Sequence, residues 1–567
     1  MIHEDPPGKQ PARLSISLPR EFAKIGPGRI SESRKGETPL YPNMVTLEWI
    51  LVLLLGAVLL AALARRIGAP SPALLALGGV AVAFLKGGPR LSLNPDLALA
   101  LFVAPVLLDA AFDSSLRDLK ETWFPVTCLV VLAVAVTTAA VAIVARWLVP
   151  AMSWPVAIAL GAIVAPPDAA AATAVLKEIK LPHRLLAVLE GESLLNDASA
   201  LLIYRLAVGA ALAHAGATSD VFLTLTSVLI GSILLGAFFA FAFHNFVARF
   251  SDAPSSIVVQ FVGTFGAWII ADHLHLSGVL TIVTFAIILS RRSPMRMPAA
   301  IRVPSYAVWE TAVFLLNALA FILIGLQIGP ILSRFDPAQR EEAIAFAAAV
   351  LITTIAARIA WVMTYNRSLW LTNLVLGEST PRIIGTPQVR RGVVVAWCGM
   401  RGIVTLAAAL ALPDGSGGAA AFPYRDLIVL SAFTVVLGTL VIQGLTLRPL
   451  VLALGLEEDD HALEDETRLG REEMLRAALG SLGVPDAQVT ESLHREFSEL
   501  LGRLDGSSGI SPETLQAEAS LRARAYAASR ERLAQLRLTG AIGDSAFQQL
   551  EAELDMVELE HEFRTRW

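Results

Sequence analysis

The chain has 567 residues, of which 55% are apolar and 17% charged, with a mean hydropathy of +0.61. That balance excludes a soluble enzyme and points to a polytopic membrane protein. The net charge of −5 averages Arg-rich membrane loops with an acidic C-terminal region, and no basic stripe interleaved with aromatics suggests nucleic acid.

Residues 1–43 are polar, with seven Lys/Arg, five acids and no apolar core of a signal peptide. A disordered tail is expected there, and Met44, just before the first apolar stretch, is an alternative start. Windows of about 19 residues then give thirteen candidate spans, near 47–64, 70–86, 96–112, 123–148, 155–176, 184–213, 221–248, 256–272, 275–289, 305–328, 342–366, 390–412 and 426–454. Cys128 and Cys398 both lie in such segments, so neither a disulfide framework nor a cysteine metal site follows.

Charge orients the spans. Loops after odd-numbered spans hold sixteen Lys/Arg, among them Arg65, Arg66, Arg291, Arg292, Arg367, Arg390 and Arg391. Loops after even-numbered spans hold six: Lys86, Arg90, Arg146, Arg334, Arg340 and Arg425. Lys/Arg-rich loops stay cytoplasmic, so the N-terminus is expected outside a cell membrane and the C-terminus inside. Residues 44–455 form the membrane domain. Glu457-Glu458-Asp459-Asp460 leaves the membrane, and residues 456–567 are expected to form a small cytoplasmic helical domain. In it, Ser511-Pro512 marks a helix start.

The informative residues are polar ones inside apolar spans. A charge at the bilayer centre costs roughly 2.5–3.5 kcal/mol on insertion scales, so such groups mark ion or proton pathways. Asp109 and Asp113 end the third span. The fifth reads Gly161-Ala-Ile-Val-Ala-Pro166-Pro167-Asp168. Two prolines remove backbone donors, the helix unwinds, and freed carbonyls suit a hard cation. The sixth carries Glu190, Glu192, Ser193, Asn196 and Asp197. Glu190, Ser193 and Asp197 share one helical face, and Glu192 and Asn196 a neighbouring one.

The twelfth span reads Trp397-Cys398-Gly399-Met400-Arg401-Gly402, two glycines bracketing an arginine. Glycine permits a second break. Treating span 7 as a linker makes spans 1–6 and 8–13 two six-helix repeats, each with its fifth member broken. Paired breaks of this kind point to a transport site built on inverted repeats. Asp168 and Arg401 are placed to offset the partial charges of the facing helix ends, and Arg401 is also placed to neutralise Glu192. Arg205, Glu310, Asn317 and Arg358 are further polar groups within spans, taken as packing or ion-pair residues.

Leu189-Glu-Gly-Glu-Ser-Leu-Leu-Asn-Asp197, with the Pro-Pro-Asp168 and Gly-Met-Arg-Gly402 stretches in order, resembles the monovalent cation:proton antiporters of the bacterial sodium/proton exchanger type. The resemblance covers about residues 47–455. It implies an all-α fold of thirteen transmembrane helices in two inverted repeats with two crossed, unwound helices, and a homodimer. It implies Asp197 as the proton- and cation-binding carboxylate beside Asn196, with Ser193 and Asp168 lining the monovalent-cation site and Asp109 nearby. It further implies Glu192 and Arg401 as an ion pair holding the core, and Pro166, Pro167, Gly399 and Gly402 at the helix breaks. An Asn-Asp pair resembles the electroneutral branch of the family. Many relatives have Thr immediately before the span 5 aspartate. Pro167 stands there instead, so a hydroxyl ligand is lost and the motif leaves Na⁺, K⁺ and Li⁺ open.

The mechanism expected is alternating access. Burial favours the protonated form of a carboxylate, a cation competes with that proton, and an empty charged carboxylate is too costly to cross the apolar barrier. The transported ions are the ligands and no cofactor is implied. The chain lacks a phosphate-binding G-x-x-x-x-G-K-[ST] loop, so no nucleotide is needed. An intramembrane aspartyl protease using Asp168 and Asp197 as a dyad is the alternative, although its Gly-x-Gly-Asp context is missing and paired breaks have no role in it. A channel would want a ring of ligands from several subunits.

Overall fold

The structure is a computed structural model. It describes residues 42–85, 95–113, 123–168, 172, 183–212, 219–247, 249–250, 252–292, 299–376, 388–414 and 421–455, together with isolated positions beyond 497. The tail expected over 1–43 lies outside these residues except for its last two. So does nearly all of the cytoplasmic domain expected over 456–567. The chain divides into two units, Met1–Val52 and Leu53–Trp567. The described part of the first is the opening of helix α1 (Pro42–Ile67); everything below concerns the second.

The described residues are helical throughout, with no strand among them. After α1 come α2 (Ser71–Ala83) and α3, which runs Pro95–Ala98, a π-helical Leu99–Val103, then Ala104–Asp113. Helix α4 has the same character: Trp123–Thr127, π-helical Cys128–Ala133, Val134–Leu148. There follow α5 (Trp154–Val164), α6 (His183–Leu212), α7 (Ser219–Val247), α8 (Ala253–His273), α9 (Gly278–Arg292) and α10 (Ala299–Leu326). A short α11 (Ile328–Leu332), the long α12 (Pro337–Leu376), α13 (Gln388–Trp397), α14 (Ile403–Leu410) and α15 (Arg425–Leu454) complete the set.

Among the described residues, eight helices are long and apolar enough to cross a membrane, and four shorter apolar helices cover 71–83, 99–112, 154–164 and 278–290. The lengths have local causes. Helix α5 stops after 11 residues, about 16 Å and half a bilayer, because Pro166 and Pro167 cannot donate. Likewise α13 and α14 are the two halves of one apolar stretch interrupted over 398–402. Helix α15 ends cleanly at Gly455, which takes the left-handed conformation (φ 60°) and donates its N–H to Leu452 O. Glycine adopts that conformation without a Cβ penalty.

Packing forms two large apolar cores and a small cluster of Val134, Ala165 and Ala200. The larger gathers α2, α4, α5, α10, α12, α13, α14 and α15. The smaller core gathers α3, α7, α8 and α9 around Phe243, Trp268 and Phe285. Leu201 of α6 and Ile403 of α14 pack against both, so α6 and α14 run along the seam. Helices α2 and α10 approach most closely at Gly79 and Gly325, where a Cβ on either residue would overlap the other helix's backbone. Small residues of this kind bring membrane helices together in lipid, where van der Waals contact replaces the hydrophobic drive.

Candidate functional site

The two faces of α6 do different things. Glu190, Ser193 and Asp197, spaced three and four apart, line a cavity of about 290 Å³ at the seam. Glu192 and Asn196 are 2% and 0% exposed and turn into the protein. One helix thus delivers hydrophilic groups to the cavity and anchors itself with others.

The chain leaves the helix after α5, and Asp168 in that unwound stretch also lines the cavity. Bonds from both α6 and the other break hold the stretch. Asn196 Nδ2 donates to Pro167 O at 2.7 Å, and the Asp168 N–H donates to Met400 O at 2.6 Å. The second bond joins the two helix breaks directly. The Asn196 amide oxygen is buried with no partner among the described residues.

The break between α13 and α14 is held as firmly. The Arg401 N–H donates to Thr439 Oγ1 of α15 at 3.0 Å. Its guanidinium donates to Gly399 O, to Val164 O at 3.0 Å and to Ala165 O at 3.3 Å. Val164 and Ala165 are the last carbonyls of α5, so a cation sits at that helix's negative end. The complement holds at the other end. Gly402 is the N-cap of α14, and a Cβ there would overlap the Asp168 carboxylate. An acid therefore lies at the positive end of α14. Each break is compensated by a side chain from the other.

One expectation needs correcting. Glu192 pairs with Arg358 of α12 and not with Arg401. The pair is bidentate, Nη1 to Oε1 at 2.6 Å and Nη2 to Oε2 at 2.9 Å, with both side chains 3% exposed. The Arg401 guanidinium is instead spent on the carbonyls freed at the two breaks. Arg358 Nη2 also donates to Val395 O of α13 at 3.0 Å, which ties α6, α12 and α13 together. Asn196 is not among the residues lining the cavity and braces the unwound stretch through Pro167 O.

Asp109 of α3 does line the cavity, nearly two turns beyond the π-helical segment that brings Phe102 and Val103 to the same wall. Pro166 and Pro167 form part of it, as does Gly402; Gly399 lies in the same non-helical stretch as Gly402. The Asp113 side chain lies outside the described residues. Two wall residues were missed: Asn317 of α10 and Thr405 of α14. Asn317 was legible only as a polar group in an apolar span. With Glu190, Ser193 and the aspartates, these give a wall of oxygen donors, the chemistry that suits a hard cation. A further brace is Ser199 Oγ, which shares its proton between Val130 O (2.7 Å) and Asn196 O (2.8 Å). Val130 lies in the π-helical segment of α4, where the regular ladder is interrupted.

Comparison with known proteins gives the family and the fold. Residues 50–453 match the family described as sodium/hydrogen exchanger, transmembrane. An uncharacterized Na⁺/H⁺ exchanger of Mycobacterium bovis is 29% identical over 90% of this chain and 95% of its own. The Na⁺/H⁺ antiporter ApNhaP of Aphanothece halophytica is 30% identical over 76% of this chain and 78% of its own. A sodium, potassium, lithium and rubidium/H⁺ antiporter of Bacillus pumilus is 27% identical over 71% and 61%. In fold, the chain is similar to the sodium proton antiporter MjNhaP1 of Methanocaldococcus jannaschii, with a TM-score of 0.55, 17% identity, and coverage of 73% of this chain and 99% of that one. None of these supports an aspartyl protease. The chain belongs to the sodium/hydrogen exchanger family and is a transmembrane secondary antiporter.

Proposed function

We propose that the protein exchanges protons for Na⁺, with K⁺ and Li⁺ as further substrates, electroneutrally across the cell membrane, with proton and cation competing for Asp197. The observation that carries this reading is the convergence of Asp197, Asp168 and Ser193 on one cavity at two crossed helix breaks. A carboxylate there holds either a proton or a cation, the bound cation offering charge compensation in place of the proton. Only the loaded site crosses between inward- and outward-open states, because a bare carboxylate in the apolar barrier is too costly. Asp109, Glu190 and Asn317 line the same cavity and add polar groups to it. Asn196 holds the unwound stretch without adding a second charge.

The same reading has thirteen spans in two inverted repeats, α5 and the α13–α14 pair being the broken members. It has the N-terminus outside, the C-terminus cytoplasmic and a homodimer. The Lys/Arg bias of the loops supports the orientation.

The test is reconstitution in liposomes with an internal pH dye, an imposed proton gradient and the membrane potential clamped at zero. Na⁺, K⁺ or Li⁺ is added in turn, with Asp197→Asn alongside. Dissipation of the gradient by a cation, lost in the variant, is the expected result. Folded protein that answers none of the three cations sinks the proposal, and a rate that follows an imposed potential sinks the electroneutral part.

A further inference from the structure

A second cavity lies away from the cation site, between α12, α13 and α15. It is about 260 Å³ in volume and is lined chiefly by Ile359, Met363, Val393, Trp397, Thr446 and Leu450. Its polar groups satisfy one another: Trp397 Nε1 donates to Thr446 Oγ1 at 2.9 Å, and Thr446 Oγ1 donates to Ile442 O at 2.5 Å. Little remains to hold water, and an apolar cleft without polar partners stays dry or takes hydrocarbon. Thr446 is exposed, and Ile442, Leu445 and Leu452 beside it on α15 are exposed apolar residues. The cleft therefore faces the surface that lipid covers.

Its depth and its charges are what make it specific. Val393 and Trp397 stand roughly 7–14 Å along α13 from Gln388, at 1.5 Å per residue, the depth of acyl chains in one leaflet. One turn nearer the Arg-rich face are two exposed arginines. Arg367 follows Met363 by four residues on α12, and Arg390 precedes Val393 by three on α13. Arg390 Nη1 donates to Leu454 O at the end of α15 at 3.2 Å, so two of the three helices that form the cleft, α13 and α15, also meet at this arginine. Among the described residues no carboxylate pairs with either arginine. We propose that the cleft seats an anionic phospholipid of the leaflet on the Arg-rich side, an acyl chain lying against Trp397 and the phosphate headgroup over Arg367 and Arg390. Charge complementarity selects an anionic headgroup over a zwitterionic one, by roughly five-fold for each arginine near the surface.

Because Trp397 lines the cleft, it reports on the occupant. The full-length protein is placed in phosphatidylcholine vesicles containing a fixed mole fraction of phosphatidylglycerol. Brominated acyl chains are carried either by the phosphatidylglycerol or by the same amount of phosphatidylcholine. The Trp397 contribution is the difference between wild type and Trp397→Phe. Brominated phosphatidylglycerol is expected to quench it several-fold more effectively. Arg367→Gln and Arg390→Gln should each reduce that excess, and the double variant should abolish it with helix content unchanged. Equal quenching by the two lipids overturns the proposal and is the result expected if the chain's own Glu457–Asp460 run occupies the arginines. Absence of any quenching of Trp397, or an excess that survives in folded single and double variants, overturns it as well.

Discussion

The Asp168 N–H donates to the Met400 carbonyl at 2.6 Å, so the two helix breaks of this protein are one structure. The same aspartate presses its carboxylate against Gly402, while Arg401 reaches back to Val164 and Ala165. A charge of the right sign stands at each broken end. Such helix-end interactions are worth from a few tenths to about 2 kcal/mol each where partly buried.

Gly402→Ala tests this coupling. The added methyl overlaps not only the Asp168 oxygen but also its Cγ and Cβ, so rotation of the side chain does not relieve it. The variant is expected to insert and fold, with the apparent affinity for the transported cation at least ten-fold weaker in the liposome assay. Wild-type affinity in Gly402→Ala would show that the carboxylate position is unimportant.

Glu192 and Arg358 form a buried bidentate pair. Removing one partner strands a charge and is expected to cost about 3–5 kcal/mol. Glu192→Gln and Arg358→Met should each lower thermal stability markedly in detergent. The double replacement Glu192→Met with Arg358→Met should recover much of the loss. An additive double variant would argue against a direct pair.

Asn317 stands on the cavity wall with Asp168 and Asp197. Asn317→Leu keeps the approximate volume and removes the amide. Transport is expected to show a several-fold higher KM for the cation with an unchanged melting temperature. A change in stability without a change in KM would make Asn317 a packing residue.

Asp252 caps α8, its Oδ2 accepting the Ser255 N–H at 2.9 Å. Hydrogen bonds from the Ser255 side chain and then its backbone hold the carboxyl below its ordinary value. A group whose folded pKa is depressed contributes stability above its unfolded value, and that contribution disappears as pH falls through the folded value. Asp252→Ala is therefore expected to lower the melting temperature at neutral pH, and the gap to wild type should close below about pH 4. A gap that persists in acid would assign the effect to something other than the carboxylate.

Much of this arrangement was legible in the residues alone, for local reasons. Hydropathy placed the apolar helices because the cost of polar groups in hydrocarbon is summed along the chain. Pro166 and Pro167 end α5 because a missing N–H is a property of the residue itself, and Gly399 and Gly402 mark the second break in the same way. The division of α6 into a cavity face with Glu190, Ser193 and Asp197 and an inward face with Glu192 and Asn196 follows from 100° per residue. What the residues did not contain was the partner of each buried group. Arg358 lies 166 positions from Glu192, and nothing in spacing distinguishes it from Arg401 as a counter-charge. That choice was made by the crossing of the breaks, which offers Arg401 a set of unpaired carbonyls, and by the packing of α12 and α13, which brings Arg358 to α6. The sequence by itself determined the helices, their breaks and the acids to be housed. Only the tertiary structure decided which cation meets which anion, because side-chain pairing depends on distances between helices that no single helix specifies.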